Sequence, residues 1–133
     1  MSPNCAELIT ATLAAQLAGI AAPMGGGLSR QHLAELLRRS GARLLVTAGP
    51  DLAPDTWNTA QALARQSRLD AILVLRPTGA AGPPEPLPAI DGVRIGYLAD
   101  LAAAKDASAF VGVPPRSADL AALFHTGGTT GAP

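Results

Sequence analysis

Ala71-Ile72-Leu73-Val74-Leu75 is an unbroken apolar run bounded by Asp70 and Arg76. A strand buried on both faces reads this way, and such strands belong to parallel sheets with helices covering each side. Just upstream, Pro54-Asp55 opens a helix predicted over Thr56 to Gln66, in which Trp57, Ala60, Leu63 and Ala64 share one face. Trp57 is therefore expected as a core anchor and not as a site residue.

The same alternation repeats toward the N-terminus. Ser29 is placed to cap a helix from Arg30 to Arg39, with Leu33, Leu36 and Leu37 on one face, and Gly41 stops it before a strand over Arg43 to Thr47. His32 on this helix reads as a solvated surface residue. Further back, Leu8, Ile9, Leu13 and Leu17 recur at helical spacing over Ala6 to Ala18, so this helix is expected to face the core. Asn4 is expected to cap it, Gly19 to end it, and Ile20-Ala21-Ala22 to follow as a short buried strand stopped by Pro23. Three successive helix-then-strand units imply parallel pairing and right-handed crossovers. The expected fold class is α/β, a three-layer segment with mainly parallel strands and flanking helices.

Past Leu75 the composition changes. Residues 76–92 carry Pro77, Gly79, Gly82, Pro83, Pro84, Pro86 and Pro88, which neither continue a helix nor donate fully to a ladder, so a long exposed loop is expected. Val93-Arg94-Ile95 then reads as a short strand, Leu98 to Lys105 as a short helix, Ser108 to Ser117 as a connection, and Leu120 to His125 as a final strand.

With 133 residues the chain suits one domain, and with 48% hydrophobic but only 3% aromatic residues its core is built from Ala, Leu, Val and Ile. Ten basic and ten acidic residues cancel, and the largest Lys/Arg cluster is the pair Arg38-Arg39, which argues against a nucleic-acid partner. The single cysteine, Cys5, cannot form an internal disulfide and fits a reducing, cytoplasmic setting. Leu8 to Ser29 carries no charge, yet Gly19, Pro23 and Gly25-Gly26-Gly27 interrupt it, and no membrane span is expected.

The chain closes with Thr126-Gly127-Gly128-Thr129-Thr130-Gly131-Ala132-Pro133. Three glycines let the backbone approach a ligand closely, while hydroxyls and successive N–H groups offer donors to phosphate oxygens. Taken alone, such a string is often a flexible surface loop. It is not a Walker A loop, which needs G-x-x-x-x-G-K-[ST] before a helix.

These eight positions resemble the signature of the adenylate-forming superfamily, roughly [ST]-[STG]-G-[ST]-T-G-x-P-K, with the sequence stopping one residue before the lysine. Pro3-Asn4, Glu7, Ala18-Gly19 and Pro23 resemble the same family's P-N-x-x-E and A-G-x-x-x-P elements, although Met24-Gly25-Gly26-Gly27 departs from its pattern. Ser40-Gly41-Ala42-Arg43 and Asp119-Leu120-Ala121 are also similar, whereas nothing in 76–116 is.

The resemblance implies a part of a larger N-terminal domain of an ATP-dependent acyl-CoA synthetase. Such an enzyme forms an acyl-adenylate from a carboxylic acid and passes the acyl group to coenzyme A. Thr126, Gly127, Gly128, Thr129, Thr130 and Gly131 would enclose the nucleotide phosphates, and Thr126 would also contact Mg²⁺. His125 resembles a variant found in fatty-acyl members, or is a strand-end packing residue. The N-terminal motif would scaffold the fold. The remainder of a parent chain would supply the missing lysine, so the 133 residues alone are expected to be inactive. The rival reading is a non-catalytic α/β module that binds a nucleotide or a protein through its Gly/Thr tail.

Overall fold

The computed structural model describes residues 1–125. Its centre is the pair of strands that the apolar runs announce, β1 (Leu44–Ala48) and β2 (Ala71–Leu75), joined by the helix Pro54–Gln66. A third strand, β3 (Arg94–Tyr97), adds to the far side of β2. The order is β1-β2-β3 with both pairs parallel, Leu45 opposite Ile72 and Ile72 opposite Ile95.

In chain order the helices are α1 (Ala6–Ala18), α2 (Arg30–Ser40), α3 (Pro54–Gln66) and α4 (Leu98–Ala103). Side chains alternate across a strand, so Leu45, Ile72, Val74 and Tyr97 project to one face. There they form one buried cluster with Leu33 and Leu37 of α2 and Trp57, Ala60, Leu63 and Ala64 of α3. Burying a Leu- or Phe-sized side chain contributes about 1.5–3 kcal/mol, so this cluster dominates the fold's stability. Gly96 faces the opposite side, where Leu101 of α4 lies against it. The result is an open parallel sheet with flanking helices, as the expected three-layer α/β class requires.

Local chemistry fixes several boundaries. The Ser29 hydroxyl accepts from the His32 amide, and Gly41 ends α2 at φ 66°, a conformation that favours glycine. At Gly49, just past β1, an added Cβ would lie 2.6 Å from Val74 Cγ1 and 2.9 Å from the Leu75 carbonyl oxygen. Only glycine lets that backbone close on β2, where the Gly49 amide donates to the Leu75 carbonyl at 2.8 Å.

Three expectations are corrected. The residue preceding α1 is Cys5, and Asn4 makes no capping hydrogen bond, because the helix starts one residue later than an Asn4 cap requires. Helix α1 is not core-facing along its large residues: Ile9, Leu13 and Leu17 are exposed, and Ala11 alone of the helix is buried. Its sheet-ward side is the face of Leu8, Ala11, Thr12 and Ala15, which borders a cleft beside Leu44 to Val46. Finally, neither Ile20 to Ala22 nor Leu120 to His125 forms a full strand. They meet in one parallel bridge, Ala21 with Ala122, because alanines and an exposed Ile20 give too little cross-strand packing to extend it.

Residues 76–93 cross from β2 to β3 without a helix or strand of their own. Two side chains strap this crossover. Arg76 pairs with Asp51 at 2.8 Å and donates to the Ala81 and Gly82 carbonyls, and the Tyr97 hydroxyl donates to the Glu85 carbonyl at 2.9 Å.

Candidate nucleotide-binding site

Open α/β sheets place ligands outside the carboxyl ends of their strands. At that end lie Gly49, bonded through its amide to the Leu75 carbonyl, and Asp51, Arg76 and Tyr97, already committed to the straps just described. Tyr97 is held above its usual phenolic range by burial first and by the nearby Asp51 charge second. These groups are structural. A groove of ≈ 1110 Å³ beside His32, Glu35, Arg38 and Arg43 sits at the opposite, amino ends of the strands. His32 is half-buried on this groove, and Trp57 lies in the core as the pattern predicts.

The motif residues Thr126, Gly127, Gly128, Thr129, Thr130 and Gly131, and with them the Mg²⁺ contact assigned to Thr126, lie outside the described residues. The structure does show how the chain arrives at them. Residues 121–123 run alongside Ala21, whose amide donates to the Ala121 carbonyl at 3.0 Å and whose carbonyl accepts from the Leu123 amide at 2.8 Å. Ala21 is 4% exposed, whereas its partners Ala121 and Leu123 lie at the surface. Beyond the bridge, Leu123, Phe124 and His125 close a cleft of ≈ 380 Å³ against Pro23, Met24 and Leu36. His125, which precedes the motif in sequence, is half-buried.

The N-terminal motif also acquires a physical role. The Glu7 carboxylate accepts from the Thr78 amide at 2.6 Å and from the Thr78 hydroxyl, tying α1 to the turn that leaves β2. Those bonds, the Thr78 hydroxyl foremost and Glu7's own amide next, hold the Glu7 carboxyl down at about 2. Sequence reasoning marked Glu7 only as a motif letter, since a partner 71 positions away leaves no local signal. Asp51 with Arg76, and Tyr97 with Glu85, were missed for the same reason.

Among the described residues no group of three His, Cys, Asp or Glu side chains could hold a metal ion. No described helix is long and apolar enough to cross a membrane.

An open parallel α/β sheet with flanking helices is the class of fold that these residues define. A family model described as AMP-binding enzyme matches residues 1–133, and the chain belongs to that family. Membership makes it part of the adenylate-forming enzymes and implies ATP and a carboxylic acid as substrates. Comparison with curated proteins and with solved structures gave no match.

Proposed function

We propose that this chain contributes the phosphate-handling part of an acyl-CoA synthetase of the cytoplasm, which activates a fatty or other hydrophobic carboxylic acid with ATP and transfers it to coenzyme A. The observation that carries the reading is the Thr126–Pro133 signature arriving directly from the segment bridged to Ala21, in a chain of the AMP-binding family. The donor set suits a polyphosphate: Thr126, Thr129 and Thr130 offer hydroxyls, the glycines leave N–H groups accessible, and no carboxylate intervenes. Thr126 offers a single oxygen to Mg²⁺, so most of the ion's ligands would come from phosphate and water. Bound there, the ion would neutralise charge on the departing pyrophosphate. Thr126, Thr129 and Thr130 would orient the same oxygens by hydrogen bonding, with the remainder of a parent chain supplying the acid pocket and a lysine after the loop. No general acid or base is required of this chain's residues.

The test is ATP–pyrophosphate exchange by the gene product, with and without a panel of fatty acids, followed by coenzyme A or a carrier-protein thiol as acceptor. Acid-dependent exchange that falls about ten- to a hundredfold in Thr126→Ala or Thr130→Ala supports the reading, since a hydrogen bond to a charged group is worth about 1.5–3 kcal/mol. Nucleotide binding without exchange would favour the non-catalytic module instead. Acyl transfer to a carrier-protein thiol alone would remove coenzyme A from the assignment.

A further inference from the structure

Helix α1 is weakly held by apolar packing. Only Ala11 of it is buried, Leu8, Thr12 and Ala15 are half-buried, and a cleft of ≈ 440 Å³ lies between this face and β1. Two polar tethers compensate. Met1 pairs with β1 through Val46 and Ala48, but it is separated from the helix by the irregular residues 2–5. Glu7 lies within the helix and grips Thr78, three residues past the end of the central strand β2. Helix α1 is a rod of about 20 Å at 1.5 Å per residue, and Glu7 stands at its amino end, so a slip of about 1 Å there is carried by the whole rod to its far end. That far end runs through Gly19 into Ala21, the residue on which 121–123 are registered.

We infer that Glu7 is a positioning residue: its grip on Thr78 fixes α1 against the sheet, and α1 in turn fixes the Ala21 backbone that sets where the Gly/Thr segment begins. Glu7 touches no part of the motif itself. It acts through the helix and the bridge, and a misplacement of about 1 Å at a reacting group can lower a rate about a hundredfold. The kinetic consequence rests on the function proposed above, whereas the structural consequence does not.

The experiment, made in the whole gene product that contains these residues, compares Glu7→Ala, Glu7→Gln and the control Glu35→Gln, which removes a surface charge on α2, by amide hydrogen exchange and by substrate kinetics. In Glu7→Ala the Ala21 and Leu123 amides are expected to exchange about three- to tenfold faster, a modest change because the tether is at the surface. Ile72 to Leu75 should be unchanged. Glu7→Gln, which keeps an acceptor oxygen, should recover part of the protection, and Glu35→Gln should have no effect. The KM for ATP should rise in Glu7→Ala while the KM for the acid stays constant. Unchanged Ala21 and Leu123 exchange overturns the inference whatever the activity, and so does equal loss of protection at Ile72 to Leu75, which marks a general structural role. If the two amides respond while the unsubstituted protein shows no ATP-dependent exchange, the proposed function fails and the positioning stands. Should the protein be active and the KM for ATP not respond, positioning of the motif is refuted.

Discussion

Helices α1 and α3 are both 13 residues long, and they behave oppositely. Helix α3 is amphipathic and buries Trp57, Ala60, Leu63 and Ala64 against the sheet, with Pro54 and Asp55 setting its start. Helix α1 is the more apolar of the two, yet it buries only Ala11 and turns Ile9, Leu13 and Leu17 outward. Hydrophobicity says that a helix wants cover, whereas amphipathicity says which side receives it. One half of the molecule is consequently held by packing and the other by backbone bonds and polar tethers.

The largest effect expected from this contrast is in the packed half. Leu63 is fully buried, so Leu63→Ala should lose about 2–5 kcal/mol of unfolding free energy, read from urea denaturation. A loss below 1 kcal/mol would mean that the α3 face collapses freely and would erase the distinction between the helices.

Next comes the Met1 tether, which can be titrated. The free Met1 amine donates to the Val46 carbonyl at 2.7 Å, and burial lowers its pKa from 8.0 to about 6. Between those values the unfolded chain binds the proton and the folded chain does not, so stability rises with pH across this window. The gain is about 2–3 kcal/mol by the time both states are neutral, above pH 8. Urea midpoints at pH 5.5 and 8.5 check the sign. A flat profile would show the amine to be hydrated.

The two helix starts sharpen the comparison further. Ser29 caps α2 and Asn4 does not cap α1, so Ser29→Ala should lower stability by about 1 kcal/mol while Asn4→Ala changes nothing measurable. Thermal melts of both variants distinguish them, and equal losses would restore Asn4 as a cap. Smallest of all, Leu13→Ser on the exposed side of α1 should alter stability by less than about 0.5 kcal/mol, against several for a core leucine. A large loss would show that this face is covered in solution.

The packed half was the legible half. Ala71 to Leu75, Leu33 with Leu37, and the Trp57 face are local patterns whose period matches the geometry they adopt, so residues close in sequence carried the information. Helix α1 defeated the same reasoning because it is apolar on nearly every side, and spacing then cannot choose between Leu8-Ala11-Ala15 and Ile9-Leu13-Leu17. The candidate motif, Thr126 to Gly131, is a reading of the string alone and lies outside the described residues, and the bonds formed by the residues leading to it left no local signal. Ala21 with Ala121 and Leu123, and Glu7 with Thr78, join residues that only the tertiary fold brings together.

The doubly strapped crossover between β2 and β3 carries a consequence for how this chain can vary in length. Arg76 pins the carbonyls of Ala81 and Gly82, Tyr97 pins that of Glu85, and Leu87, Ile90 and Val93 rest on the core. Between the two pinned pieces stand only Pro83 and Pro84, exposed and free of ladder bonds. Closing a loop twice as long adds only about 0.6 kcal/mol, so extra residues inserted there leave both straps, and the register of β3, in place. The same insertion between Pro77 and Ala80 would instead stretch the Arg76 strap and disturb Thr78, carrying a change of surface loop into the seat of α1.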